Sequence, residues 1–483
     1  MSEISTLDPK CVFHYFEELS AVPRSSRNNE KISEYLVNFA KEHGLEYYQD
    51  EAGNVIIYKG ATAGYETAEP VMLQGHMDMV ASVAEGFEHD FTSQPLELHI
   101  EDEDYITAEG TTLGADNGIA IAMALAMLAS DDFDHPALEV LITVDEEIGM
   151  LGAEALDPSK ISARRIINID SEEEGVITVG CAGAVDVESI FETPREKKSG
   201  ILYRYTLDGL KGGHSGQDIH RERGNAIDLT SRVMLNCLSS SKFNLVSLTG
   251  GSVSNAICNK VTGEVLVDSE NCLEFEKAMR TIAAEIKSEY QISDPDLRIA
   301  MEKVGEAEVE VVTDECQERL MKYIFIVPTG VHHMSASLPG MVETSMSIGV
   351  IRLEGNEMRT AAMIRSSVES RKANLAARVK MLTEVYGGKA EFSGSYGAWE
   401  FNTNSELLDI CIATFERHFG RTPEVGAVHA GLECGKWAEK WGEIDAVSIG
   451  PDMSGVHSPL ERLSIPSTAR TWEFLKAILA SCK

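Results

Sequence analysis

Val71-Met72-Leu73-Gln74-Gly75-His76-Met77-Asp78 decides the reading of this chain. An apolar run of strand length ends on an imidazole and, two positions later, a carboxylate. On an extended segment residues i and i+2 share a face, so His76 and Asp78 point the same way. Two further runs repeat the pattern: 138–144 leads into Asp145-Glu146-Glu147, and 165–169 leads into Asp170. Their continuous apolar character predicts central strands covered on both faces. Later, a strand over 446–449 is followed by His457. Asp116 stands in Leu113-Gly114-Ala115-Asp116-Asn117-Gly118, ahead of a segment to Ala129 that is apolar nearly all round. That segment has the length of a helix and should be buried, with Asp116 as its N-cap.

Outward from these runs, 11–19 and 29–43 read as amphipathic helices and 55–58 as a strand. Helices alternating with strands indicate an α/β domain. The texture changes near Ala184. Segments 203–207, 245–249, 263–267, 308–312 and 345–350 alternate as strands, and helices are expected over 225–236, 273–290 and 358–386. After Trp399 the α/β texture returns, with helices over 406–418 and 467–480. The expected organisation is an α/β domain built from 1–184 and 397–483, interrupted by an α+β insert over 185–396.

Composition narrows the function. Lys and Arg total 42 against 78 Asp and Glu, a net charge of −36. Such a chain lacks the basic surface that phosphate backbones require, so nucleic acid is not an expected partner. Docking on anionic membranes is disfavoured for the same reason. No apolar stretch approaches the ~20 residues that span a bilayer. The 9 cysteines are scattered and form no C-x-x-C pair, which suits a reducing cytoplasm. The first residues carry no signal-peptide pattern.

In open α/β sheets the carboxyl ends of strands form the ligand crevice. His76, Asp116, Glu147, Asp170 and His457 are therefore expected to converge there. Histidine with carboxylates and no cysteine suits a catalytic zinc-like site. Three carboxylates offset most of the charge of two divalent ions, and Asp116 can be shared between them. Such a pair lowers the pKa of a water toward ~7 and polarises a carbonyl. Asp78 is placed to accept the second ring N–H of His76. Glu146, adjoining Glu147 but off the metal, can take a proton from water and hand it to a leaving amine.

Taken together, residues 73–80, 112–118, 145–150 and 168–175 resemble the M20 di-zinc peptidases, in particular their aminoacyl-histidine dipeptidase branch. Gly213-His214-Ser215-Gly216, His429-Ala430-Gly431-Leu432-Glu433-Cys434-Gly435 and Gly455-Val456-His457-Ser458-Pro459 extend the resemblance along the chain. It implies a mixed-sheet di-zinc exopeptidase catalytic domain with an inserted α+β lid. It assigns His76, Asp116 and Asp170 to one zinc, and Asp116, Glu147 and His457 to the other, with cobalt or manganese as acceptable substitutes. It makes Glu146 the general base, Asp78 the partner of His76, and the Asp116–Asn117 peptide cis. In the lid it gives His214 to the developing oxyanion and Asn255 and Arg365 to the substrate carboxylate. It places His429 and Glu433 on the substrate's amino-terminal side, and it leaves Cys434 as a buried small hydrophobe.

The implied activity is cytoplasmic hydrolysis of small unblocked dipeptides, preferably Xaa-His and including β-alanyl-histidine. A homodimer through the lid is also implied, although an insert this long can supply both halves of the substrate grip within one chain. Threonine is expected before Glu146-Glu147, and this chain has Asp145 instead, a charge placed to alter Glu146. The competing readings are an N-acyl-amino-acid deacylase or tripeptide aminopeptidase of the same fold, and a noncatalytic metal-binding protein. A serine hydrolase is disfavoured because no G-x-S-x-G elbow is present.

Overall fold

A computed structural model describes residues 4–483, which divide into two compact units. The first comprises the residues up to Cys181 together with Trp399–Ala427 and Leu432–Lys483. Its eight-stranded sheet has the order Glu46–Gln49, Val55–Lys59, Leu138–Thr143, Val71–His76, Arg165–Asn168, Asp445–Ser448, Val176–Cys181, Glu424–Val428. The four strands from Leu138–Thr143 to Asp445–Ser448 run parallel to one another. Val55–Lys59 and Val176–Cys181 flank them antiparallel, so the sheet is mixed. Every residue of Val71–His76 and Leu138–Thr143 is buried, the polar Gln74, His76, Glu139 and Thr143 along with their apolar neighbours. Parallel strands end on one edge of a sheet, and from that edge leave the turns bearing Asp78, Glu146, Glu147 and Asp170.

The Ala115–Ala129 helix packs on Val71–His76 and on the Lys10–Ser20 helix, buried along nearly its whole length. Asp116 is not its N-cap. Gly114 occupies that position with φ 66° and has no side chain to cap with, and Asp116 and Asn117 lie outside helical geometry. The carboxylate is instead engaged by two histidines, as described below. The Asp116–Asn117 peptide is cis. The Asn117 side chain accepts from the His76 N–H (3.1 Å) and donates to the Ile169 carbonyl (2.7 Å), tying two strand ends together. Gly75 leaves room for it, because a Cβ there would collide with Asn117 Oδ1 and lie 2.8 Å from the Ala120 methyl.

The second unit comprises Ala182–Ala398 and Val428–Gly431. Its nine-stranded sheet follows the order Arg298–Val312, Arg195–Asp208, Val261–Val267, Phe243–Gly250, Val342–Glu354, Glu357–Ser366, Gly183–Glu192, Lys389–Tyr396, with Gly330–Met334 added beside Val342–Glu354. Helices Ala226–Ser240, Cys272–Glu289, Asp314–Ile326 and Glu369–Val385 share a core with it that includes Phe191, Tyr205, Phe243, Phe275 and Tyr323. The helix expected over 358–386 is two elements. Glu357–Ser366 is a strand in a hairpin with Val342–Glu354, and the helix begins at Glu369. Met358, Thr360, Ala362 and Ile364 are buried while Arg359, Ala361 and Met363 are less so, a period of two rather than 3.6. Among the described residues no helix is long and apolar enough to cross a membrane.

Candidate active site

In the first unit the sheet edge brings the five predicted ligands together. Asp116 Oδ1 lies 3.1 Å from His76 Nε2, and its other oxygen lies 3.0 Å from His457 Nε2. Asp170 Oδ1 is 3.6 Å from the same His76 nitrogen, and Glu147 Oε2 is 3.1 Å from the same His457 nitrogen. The residues thus form two sets, His76–Asp170 and His457–Glu147, joined through the two oxygens of Asp116. Donor atoms of His76, Asp116 and Glu147 all fall within 4.8 Å of one another. Glu147 Oε1 is buried with no hydrogen-bond partner among the described residues. This donor set fits two divalent cations sharing a carboxylate.

Asp78 is fully buried and ties this arrangement together. Its Oδ1 lies 3.4 Å from His76 Nδ1 and accepts from the Glu146 N–H at 3.0 Å. Its Oδ2 accepts from the Glu147 N–H at 3.3 Å and from the Ser26 hydroxyl at 2.8 Å. One carboxylate therefore fixes the imidazole of one set and the backbone of the next. Burial works to raise the Asp78 carboxyl, but the hydrogen bond and charge of His76 outweigh it and hold it below the usual range.

Burial pushes the Glu146 carboxyl well up; the His76 charge opposes this, and Asp170, Glu433 and Glu147 add to it. Asp170 is raised to about 6 by burial, reinforced by Asp116 and Glu147. His457 is pushed up to about 11 by its hydrogen bonds to Asp116 and Glu147. Burial would lower His76, yet the hydrogen bonds to Asp116 and Asp170 and the charge of Asp170 carry it well above its ordinary value. Left to one another, these carboxylates hold protons on both imidazoles. Asp145 turns aside: its Oδ1 accepts from the Arg27 N–H (2.6 Å) and the Asn29 amide (2.7 Å).

The second unit gathers a different set. His214 and Arg365 meet at 3.2 Å, Nε2 to Nη2, and Arg365 also reaches the Tyr396 hydroxyl (3.1 Å) and Ser215 Oγ (3.4 Å). His214 Nδ1 accepts from the Gly216 and Gln217 N–H groups (3.3 and 3.0 Å). A neutral imidazole with Nδ1 accepting carries its hydrogen on Nε2, and burial followed by the charge of Arg365 lowers His214 to about 4. Two donors therefore face each other, an arrangement completed by an oxygen acceptor. The Asn255 side chain is exposed, while its carbonyl accepts from the Ser215 N–H at 2.8 Å. Arg365 belongs to the Glu357–Ser366 strand rather than to a helix.

His429 and Glu433, neighbours in sequence, belong to different units. His429 Nε2 meets Ser345 Oγ at 2.7 Å, and burial, then Arg365, lower it to about 3. Glu433 is wholly buried, accepting from the Gln74 amide and from Thr143 Oγ1 at 2.7 Å. Both donors meet the same oxygen, and Glu433 Oε1 is buried with no hydrogen-bond partner among the described residues. Cys434 is buried with its thiol raised well above the ordinary range by burial, as a small hydrophobe should be.

Residues 72–481 match the family model Peptidase family M20/M25/M40. The chain belongs to this family. This M20 peptidase is 36% identical over 481 residues to the cytosol non-specific dipeptidase of Escherichia coli K12, covering 99% of each chain. Its fold superposes on the crystal structure of aminoacylhistidine dipeptidase from Vibrio alginolyticus with a TM-score of 0.91 and 37% identity, covering 99% of this chain and 98% of that one. Aminopeptidase PepT from Bacillus cereus shares the fold at TM-score 0.57 and 18% identity, over 99% of each chain.

Three residues of the M20 centre escaped the sequence reading. Asn117 is expected only for its cis peptide, and its side chain's bridge from His76 to Ile169 has no signal in the sequence. Glu461, buried, accepts from the N–H groups of Leu113 and Gly114 (both 2.8 Å) and Asp116 (3.1 Å), holding the loop of the shared aspartate. Its only signal is its place four residues after His457. Arg24 carries none, because its contacts lie 53 and 90 residues away in sequence.

Proposed function

We propose that this M20 peptidase is a cytoplasmic metallodipeptidase that hydrolyses unblocked dipeptides, Xaa-His preferred and β-alanyl-histidine included. The observation that carries the reading is Asp116, whose two oxygens face two separate histidine–carboxylate sets, with Glu146 beside them and outside both. In this reading His76, Asp116 and Asp170 hold one zinc ion and Asp116, Glu147 and His457 the other; cobalt or manganese can replace zinc. When bound, the ions supply Lewis-acid polarisation of the scissile carbonyl and a water acidic enough to attack near neutral pH.

The chain's own groups do the rest. Glu146 takes the proton of the attacking water and delivers it to the leaving amine. Its buried, acid-rich surroundings favour the protonated form, which suits a group that must pass the proton on. Asp78 fixes the ring of His76 and the backbone at Glu146 and Glu147. The Nε2–H of His214 donates to the carbonyl oxygen as charge develops on it. The Arg365 fork, with Asn255, receives the substrate carboxylate. The homodimer implied by the resemblance belongs to the same proposal and is checked by light scattering.

The test is hydrolysis of Leu-His and β-alanyl-histidine by chelator-treated and zinc-restored protein, beside other dipeptides, tripeptides and N-acetyl amino acids. Dipeptide hydrolysis lost on chelation and regained with zinc is expected. Preference for tripeptides or acylated amino acids overturns the substrate assignment, and activity unaffected by chelation overturns the mechanism.

A further inference from the structure

Arg24 is a buried cation with no role in the chemistry so far. It is 1% exposed, yet its guanidinium reaches two carbonyls rather than a carboxylate: Met77 O at 3.2 Å through Nη1, and Gly114 O through Nη2. Its Nε is buried with no hydrogen-bond partner among the described residues. Burying a guanidinium without a hydrogen-bonded carboxylate is costly, so an apolar side chain would fill this place at less expense if filling were all that mattered.

The two carbonyls belong to the two segments that converge on the centre. Met77 lies between His76 and Asp78. Gly114 lies two residues before Asp116. The Gly114 peptide unit is held at both ends, its N–H by Glu461 and its carbonyl by Arg24. The guanidinium has a fitted seat. A Cβ on Gly114 would come 2.6 Å from Nη2, and one on Gly118 would come 2.5 Å from it and 3.2 Å from Cζ. Both glycines of the Gly114-Ala115-Asp116-Asn117-Gly118 motif thus make room for a side chain 90 residues upstream. The neighbouring backbone closes on the same segment, with the Met79 N–H donating to the Arg24 carbonyl at 3.1 Å and the Ser26 N–H to the Met79 carbonyl at 3.3 Å.

The charge has a purpose as well. The carboxylates of Glu461, Asp78, Asp116 and Glu147 all act on Arg24 through space. With Asp170, and with Glu461 ionised, these five carboxylates exceed by one the four positive charges of two divalent ions. A fixed cation behind the shared aspartate relieves their mutual repulsion without taking up a ligand oxygen.

We propose that Arg24 is a positioning residue of the metal centre: through Met77 and Gly114 it holds the His76–Asp78 and Asp116 segments at the spacing that lets both cations bind together. This rests on the two-cation reading above, but its test needs no substrate. Wild-type, Arg24→Met and Arg24→Lys proteins are loaded with zinc, titrated with a chelator, and assayed for retained metal. The melting temperature of each metal-free protein is recorded alongside. Arg24→Met should release half its zinc at a chelator concentration about tenfold lower than wild type, the scale typical of groups supporting metal ligands. Arg24→Lys, which keeps the charge but not the fork, should fall between. At saturating zinc, Arg24→Met should lose kcat with KM little changed.

A chelator midpoint within threefold of wild type overturns the proposal, even if the metal-free protein melts lower, because that is the signature of a residue that only supports the fold. If Arg24→Met does not fold, Arg24→Lys decides by the same threefold limit. A wild-type protein that retains no zinc overturns this proposal and the metal-centre reading together.

Discussion

The two clusters are built from similar side chains and behave oppositely. In the first unit two histidines sit among acids, and the acids drive both imidazoles toward protonation despite the burial of one of them. In the second unit two histidines sit beside Arg365, and burial and that charge together drive both toward neutrality, to about 4 and about 3. Histidine alone therefore says little. In the reading proposed above, the first cluster offers electron pairs to cations and the second offers N–H groups to an oxygen.

The sharpest way to break this contrast is Glu146→Gln. It should bind zinc like the wild type and lose roughly 10²–10⁴-fold in turnover, the usual share of a general base. Wild-type-like turnover removes Glu146 from that role. His214→Ala addresses the other side of the comparison. A donor aimed at developing charge contributes about 10²–10³-fold, so kcat should fall on that scale with zinc content unchanged. If zinc content falls instead, the two clusters are not separate devices.

The contrast also has a pH signature. Asp170 (about 6), Glu461 (about 7), Glu433 (about 8) and Glu146 have folded pKa values raised above the unfolded carboxylate value. Their stabilisation is present below that value and is lost as pH rises through the folded ones. His76 and His457 are raised too, so theirs is full below pH 6.5 and is lost above it. Both sets act in one direction. Metal-free protein should melt lower at pH 8 than at pH 5.5, and the gap to zinc-loaded protein should widen over that window. A gap independent of pH in differential scanning fluorimetry contradicts the charge account of the first cluster.

The smallest effect is expected at Glu433. Burial raises its carboxyl to about 8, so at pH 7 it holds a proton and glutamine is a close mimic. Glu433→Gln should leave KM within about twofold by the same reasoning. A tenfold rise in KM places Glu433 at the substrate's ammonium after all.

The convergence of His76, Glu147, Asp170 and His457 was legible because each stands at or after the end of a strand rich in apolar residues, and parallel strands must end together. Asp78 was legible because i and i+2 share a face. What escaped reading depends on contacts that leave no local pattern. Glu461 and Arg24 act on backbone groups far away in sequence, and backbone groups have no residue identity to recognise. Arg365 was placed on a helix because Ala361-Ala362-Met363 has high helix propensity, which hid the alternation of a strand. Asp116 was taken for a cap because it precedes a helix, whereas two histidines compete for its oxygens. His429 and Glu433 are four residues apart, and nothing in that spacing signals that the boundary between the two units falls at Leu432.

The order of strands in the first sheet carries a consequence for the making of the protein. Asp445–Ser448 lies inside that sheet, between Arg165–Asn168 and Val176–Cys181, although it comes hundreds of residues later in the chain. A nascent chain emerging from the ribosome holds an unfilled slot there until Asp445–Ser448 has been made, and His457 emerges later still. Domains fold as units during synthesis when their sequence is continuous; here the inserted unit can fold first while its host waits. Hydrolytic competence is thereby deferred until the inserted unit and the segment carrying His457 have both emerged.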